Sequence, residues 1–169
     1  MPSKLIIIRG NSGSGKTTIA KELRQRLGDG LSDNTMVISQ DTIRRDILRE
    51  RDVLDKRSVI ELIELIAVFG QKQNRIVIVE GILSKNKYGP MLKRLSSIFD
   101  EAYIYYFDLP FEETLRRHAT KSNAHEFGEE LMRELWKEKD YTGMSEEKIL
   151  DQNLSVDKII SNIIHDLNV

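Results

Sequence analysis

The chain has no cysteine. That excludes disulfides and thiolate metal sites and fits a reducing interior. Net charge is nearly absent too, with 26 Lys and Arg against 27 Asp and Glu leaving −1. A bulk basic field for nucleic acid is thereby excluded, although a local basic groove is not. No apolar run approaches the roughly 18 residues of a membrane span. The run Leu5-Ile6-Ile7-Ile8 stops at Arg9 and Gly10, too early for a signal-peptide core. Histidines number 3, and no acids or histidines stand at metal-site spacing. Internal repeats and low-complexity tracts are missing as well. What is present is 169 residues, 31% of them charged, enough for one domain with a core of its own. The expectation is a soluble, cytoplasmic protein with no membrane or nucleic-acid partner, monomeric or homodimeric.

The informative stretch is Gly10-Asn11-Ser12-Gly13-Ser14-Gly15-Lys16-Thr17-Thr18, which fits the phosphate-binding pattern G-x-x-x-x-G-K-[ST]. Its flanks suit the pattern. Leu5 to Ile8 reads as a strand buried on both faces. Ile19 to Leu27 has apolar residues at helical spacing and stops at Gly28. Gly10, Gly13 and Gly15 let the backbone curl and approach a ligand closely. Inward-pointing N–H groups then form an anion nest, and the following helix adds the positive end of its dipole. Lys16 offers a point charge to the β- and γ-phosphates, and Thr17 a hydroxyl ligand to Mg²⁺.

Further along, Thr35 to Ser39 reads as a second strand. Asp41 then stands where it would N-cap a helix carrying Ile43, Ile47 and Leu48. Arg49 to Arg57 is highly charged and reads as an exposed loop or frayed helix. Ser58 to Gln73 is apolar on most sides, which predicts a deeply buried helix with Glu61 and Glu64 on its polar face. Arg75 to Gly81 is a third strand, Lys85 to Pro90 a loop, and Met91 to Ile98 a short helix. Glu101 to Asp108 is a fourth strand closed by Pro110, and Phe111 to Ala119 a helix. Lys121 to Gly128 reads as polar and mobile. Glu129 to Lys139 reads as a charged helix, with Trp136 packing there. Lys148 to Leu150 is a short last strand, and Ser155 caps a final helix through Leu167. Buried strands alternating with helices predict an α/β fold, a parallel sheet covered on both faces. Ligands then sit beyond the carboxyl ends of the strands. Glu80 occupies such an end, where a Walker B acid belongs, and is a candidate to hold a Mg²⁺-bound water or contact an acceptor.

Four segments carry a family resemblance: GNSGSGKTT at 10–18, SQDTIRRDIL at 39–48, IVIVEGIL at 76–83 and YYFDLPFEETLRRHATK at 105–121. They resemble the P-loop small kinases, especially the branch of chloramphenicol phosphotransferase, zeta toxins and polynucleotide kinase domains. The resemblance implies a three-layer P-loop NTPase fold. Its sheet would have five parallel strands in the order 2-3-1-4-5, with a small helical lid over about 117–140. It implies ATP- and Mg²⁺-dependent transfer of a γ-phosphoryl group to a hydroxyl of a small molecule: a nucleoside, an antibiotic or a nucleotide sugar. In that reading Asp41 accepts or orients the acceptor's proton and Arg44 holds the acceptor or a phosphate. Arg117 and Lys121 are the favoured lid cations, ahead of Arg116 and Arg133. Asp151, Gln152 and Asn153 are candidates for the purine. Tyr88 is a further candidate for the acceptor, and His118 and His125 are expected to face solvent. Competing readings are an NTP-hydrolysing switch, a nucleotide-binding regulator and a polynucleotide 5′-hydroxyl kinase. Against a guanine-nucleotide switch, Asn86-Lys87-Tyr88-Gly89 lacks the Asp of N-K-x-D, and Glu80-Gly81 is not D-x-x-G.

Overall fold

The computed structural model describes residues 2–28, 30–51, 57–73, 75–120 and 128–169. Strand β1 (Lys4–Gly10) is buried along its whole length. A strand apolar on both faces needs a layer on each, and alternate side chains divide between them. Leu5 and Ile7 enter one core, and Ile6 and Ile8 the other. Parallel partners flank β1 on both edges: β3 (Ile76–Gly81) and β4 (Glu101–Phe107). Outside them lie β2 (Thr35–Ser39), on β3, and β5 (Glu147–Leu150), on β4. The strand order is β2-β3-β1-β4-β5, as the kinase resemblance implies.

Helices α1 (Lys16–Arg26) and α6 (Val156–Leu167) cover one face, where Ile19, Leu23, Ile160 and Ile163 close the core. Helices α2 (Ser58–Lys72) and α3 (Lys85–Ile98) cover the other, through Ile63, Ala67, Leu92 and Leu95. Two shorter helices, α4 (Phe111–Ala119) and α5 (Glu129–Leu135), follow β4. Ser155 caps α6 as expected, its Oγ accepting from the Lys158 N–H at 3.2 Å. Among the described residues no helix is long and apolar enough to cross a membrane.

Several local expectations are corrected. Asp41 makes no capping bond and has helical backbone angles itself. The turn after it, Thr42–Ile47, is wound as a π-helix, with the Leu48 N–H reaching the Ile43 carbonyl at 2.9 Å. Ile47 faces solvent and Ile43 the core. Helix α2 is half-buried rather than engulfed. Val59, Ile63, Ala67 and Gly70 face inward, while Leu65 and Phe69 are 67% and 57% exposed. Helix α3 begins at Lys85, not Met91, and runs through Pro90. Gly89-Pro90 signals a break, yet burial of Tyr88, Met91, Leu92 and Leu95 on one face outweighs it. Helix α5 stops at Leu135, because Trp136 takes an extended conformation and sets its ring edge-on to Phe111. Of the segment read as polar and mobile, Lys121 to Gly128, residues 121–127 lie outside the described residues.

Candidate active site

Residues 11–15 must carry the chain from the end of β1 to the start of α1. Gly15 precedes α1 in a left-handed conformation, φ 100°. Gly13 has φ +81°, and a Cβ there would stand 2.4 Å from the Thr114 carbonyl oxygen of α4. Helix α4 therefore rests directly on the loop. Gly13→Ala is strained in φ and clashes with backbone, at a cost of roughly 1–3 kcal/mol. It should lower the melting temperature and weaken nucleotide binding at least about tenfold, measured by thermal melting and calorimetry.

Lys16 is buried, and its Nζ donates to the Asn11 carbonyl at 2.7 Å and to Ser14 Oγ at 3.2 Å. Thr17 Oγ1 donates to Glu80 Oε2 at 3.2 Å. Glu80 is buried at the end of β3, level with Ile8 of β1 and Ser39 of β2. Where β3 ends, a Cβ on Gly81 would lie 2.6 Å from the Gln40 Cβ. The start of α1, the end of β3 and the residue before Asp41 are thus in sequence of contact. Asp41 follows with a side chain 59% exposed, and Arg44 Nη2 donates to its Oδ1 at 2.8 Å.

The β4 side of the loop is basic. Arg117 Nη1 donates to the Ser14 carbonyl at 2.9 Å, and its Nε donates to Glu113 Oε1 at 2.6 Å. Arg116 grips the same carboxylate with two bonds of 2.8 Å. Hydrogen bonds from Arg116, then Arg117, hold the Glu113 carboxyl down at about 2. The pairing is therefore intact above the ordinary carboxylate range and is lost only as pH falls toward about 2. Beside the arginines lies a cavity of about 390 Å³, walled by Gly13 to Gly15, Thr18, Phe107, Arg116, Arg117, Thr120 and the Leu154-Ser155-Val156 turn.

The structure therefore gathers Lys16, Thr17, Glu80 and Arg117 on the loop and pairs Asp41 with Arg44. Lys121 and His125 lie outside the described residues. Arg133 turns away, pairing with Glu129 and lying 4.1 Å over the Phe111 ring. His118 is buried, not solvent-facing, because α4 packs it below the glycine loop. Tyr88 is buried as well, its hydroxyl accepting from Gln40 Nε2 at 3.2 Å. The cavity wall after β5 is 154–156, not 151–153; Asp151 instead accepts from the Asn153 N–H at 2.7 Å.

Two features were missed by sequence reasoning. Arg9 is fully buried, with Nη2 on Asp140 Oδ2 at 2.7 Å, Nη1 on Glu147 Oε1 at 2.8 Å and Nε on the Leu83 carbonyl at 3.1 Å. Its guanidinium lies 4.8 Å from the Tyr106 ring centre. An arginine directly continuing a buried apolar strand was the available signal. The Asn11 side chain is the other, bonded to the main chain of Lys137; no local pattern announces it.

A glycine loop between β1 and α1, an acid closing β3 and an arginine helix laid on the loop define the P-loop kinase fold. The chain belongs to the AAA domain family, which matches residues 5–140. No curated protein matches its sequence. Among solved structures it is similar to a gluconokinase from Sinorhizobium meliloti 1021, 16% identical, TM-score 0.66, covering 99% of this chain and 96% of that one. The APS kinase of Mycobacterium tuberculosis, solved with AMPPNP and APS, is 17% identical, TM-score 0.67, covering 99% of both chains. The tunicamycin resistance protein of Deinococcus radiodurans is 18% identical, TM-score 0.64, covering 99% and 96%. At these identities the likeness is one of fold.

Proposed function

We propose that the chain is an ATP- and Mg²⁺-dependent kinase that phosphorylates a hydroxyl of a small molecule. The observation carrying this is the contact of Thr17 Oγ1 with Glu80 Oε2 at 3.2 Å, at the strand end beside which Asp41 stands exposed. Thr17 and Glu80 supply hard oxygens, few in number. Such a set fits Mg²⁺, which keeps waters and phosphate oxygens among its ligands. Among the described residues there is no cluster of three or more His, Cys, Asp or Glu to favour another metal. Thr17 and Glu80 would hold Mg²⁺ there, where it would offset charge on the phosphate oxygens.

In this reading the loop from Gly10 to Thr18 wraps the phosphates with backbone N–H groups, aided by the N-terminus of α1. Lys16 reaches the β- and γ-phosphates while its Nζ stays supported by the Asn11 carbonyl. Asp41 takes or orients the proton of the attacking hydroxyl, and Arg44 holds both Asp41 and the acceptor. Arg117 offsets charge on the transferring group. Lys121, in the lid proposed over about 117–140, is the second candidate cation for that charge. The cavity of about 390 Å³ takes the nucleoside, with Arg116 and Thr120 on one side and Leu154 to Val156 on the other. Fold relatives that include a gluconokinase and an APS kinase support a small-molecule acceptor.

The test is a transfer screen with γ-labelled ATP against nucleosides, sugars and antibiotics, following ADP release with and without each. A kinase releases ADP in step with the acceptor supplied. Rapid hydrolysis with no acceptor, unchanged by any of them, would establish the switch instead.

A further inference from the structure

Asn11 is tied at both ends of its side chain to one residue of a distant segment. Its Nδ2 donates to the Lys137 carbonyl at 2.7 Å, and its Oδ1 accepts from the Lys137 N–H at 2.9 Å. A side-chain amide here makes the paired bonds that a neighbouring strand would make. Meanwhile the main-chain carbonyl of Asn11 accepts from Lys16 Nζ at 2.7 Å. Lys137 thus holds the Asn11 side chain, and Asn11 holds the Lys16 ammonium.

The bracketing segment is itself anchored. Arg9, two residues before Asn11, grips Asp140 and Glu147 from inside the sheet. Asp140 also accepts from the Lys85 N–H at 2.9 Å, and its own N–H donates to the Tyr106 hydroxyl at 3.1 Å. Between the two anchors Gly10 packs too closely for any side chain, since a Cβ there would stand 2.9 Å from the Phe107 Cβ. The peptide after Gly10 is oriented from outside the glycine loop.

We propose that Asn11 is a positioning residue for Lys16. The bracket on Lys137 sets the direction of the Asn11 carbonyl, and the carbonyl sets the aim of the ammonium at the phosphates. This rests on the nucleotide-binding part of the function proposed above and on nothing about the acceptor. Displacing a charged group by about 1 Å can cost roughly 10²-fold in rate, so the support matters.

The test is a double-mutant cycle on the full chain. MgATP affinity is measured by calorimetry for wild type, Asn11→Ala, Lys16→Ala and the double variant, with thermal melting of each without nucleotide. Asn11→Ala should weaken MgATP about 5–20-fold, and the double variant should match Lys16→Ala within about twofold, because the lost support has nothing left to support. A general loosening of the fold would instead add its effect in both backgrounds. Lys137→Pro removes the N–H that Oδ1 accepts from, along with the lysine side chain, while keeping the carbonyl that Nδ2 donates to, and Trp136 already has the extended ψ of 136° that a following proline needs. It should act in the same direction, more weakly, and replaces Asn11→Ala in the cycle if that variant shows no melting transition. Effects that multiply in the double variant, or wild-type affinity in Asn11→Ala, overturn the proposal. Failure to find an acceptor leaves the cycle intact. A wild type that binds no MgATP removes the positioning role and the kinase reading together.

Discussion

Asp41→Asn should lower acceptor-dependent ADP release about 10²–10⁴-fold, the usual worth of a general base. That is about 3–5 kcal/mol of barrier. MgATP affinity should stay within about twofold, since Asp41 lies beyond β2 and the phosphate loop leaves β1, with β3 between them. The substitution is chosen for what it preserves. Asparagine keeps the shape and an oxygen for Arg44, whose Nη2 now meets Asp41 Oδ1 at 2.8 Å, so the π-helical turn of Thr42–Ile47 need not rearrange. What is lost is the ability to take a proton. Irregular helical turns of this kind are frequent at functional sites, because the extra residue redirects side chains that an α-helix would point elsewhere. The measurement is ADP release with the best acceptor from the screen and again without acceptor. Unchanged turnover in both would remove Asp41 from the chemistry and leave a hydrolysing switch as the better reading.

The parts of the fold legible in the sequence are those with a local physical cause. The apolar run from Leu5 to Ile8 had to be a strand buried on both faces, and the glycine loop announces its strand and helix by itself. Arg117 was singled out by the kinase resemblance, not by any local pattern, and its contact with the Ser14 carbonyl spans 103 residues of sequence. Long-range pairing was not legible. Arg9 looks like the end of a hydrophobic run, and its carboxylates stand 131 and 138 residues away. The Asn11 side chain is bonded to main chain 126 residues on, which side-chain identity does not encode. Composition misled at α2, where apolar residues on most sides suggested burial that Leu65 and Phe69 do not have. Ser155 was read as a cap and is one, yet the same turn also walls the cavity, a second role that capping alone does not reveal.

Arg9→Met should destabilise the protein by about 3–5 kcal/mol, the range found when one partner of a buried charge pair is removed. The guanidinium is fully buried, and the Glu147 side chain beside it is only 4% exposed. Methionine fills similar space but leaves Glu147 and Asp140 facing each other and the Leu83 carbonyl without a cation. For a chain of this size the melting temperature should fall by roughly 6–20 °C, read by thermal unfolding at neutral pH. A companion variant separates lost packing from stranded charge. Adding Asp140→Asn and Glu147→Gln to Arg9→Met removes the unpaired carboxylates and should recover most of the loss, as an uncharged replacement of a buried ionic group often does. If Arg9→Met melts with the wild type, the cluster is not holding the 140–147 segment against the sheet. If the triple variant melts no higher than Arg9→Met, packing rather than charge sets the cost. In either variant the brace beside Asn11 should loosen before the core does, because Arg9 and Asn11 grip opposite ends of the same segment, Lys137 to Glu147, from either side of Gly10.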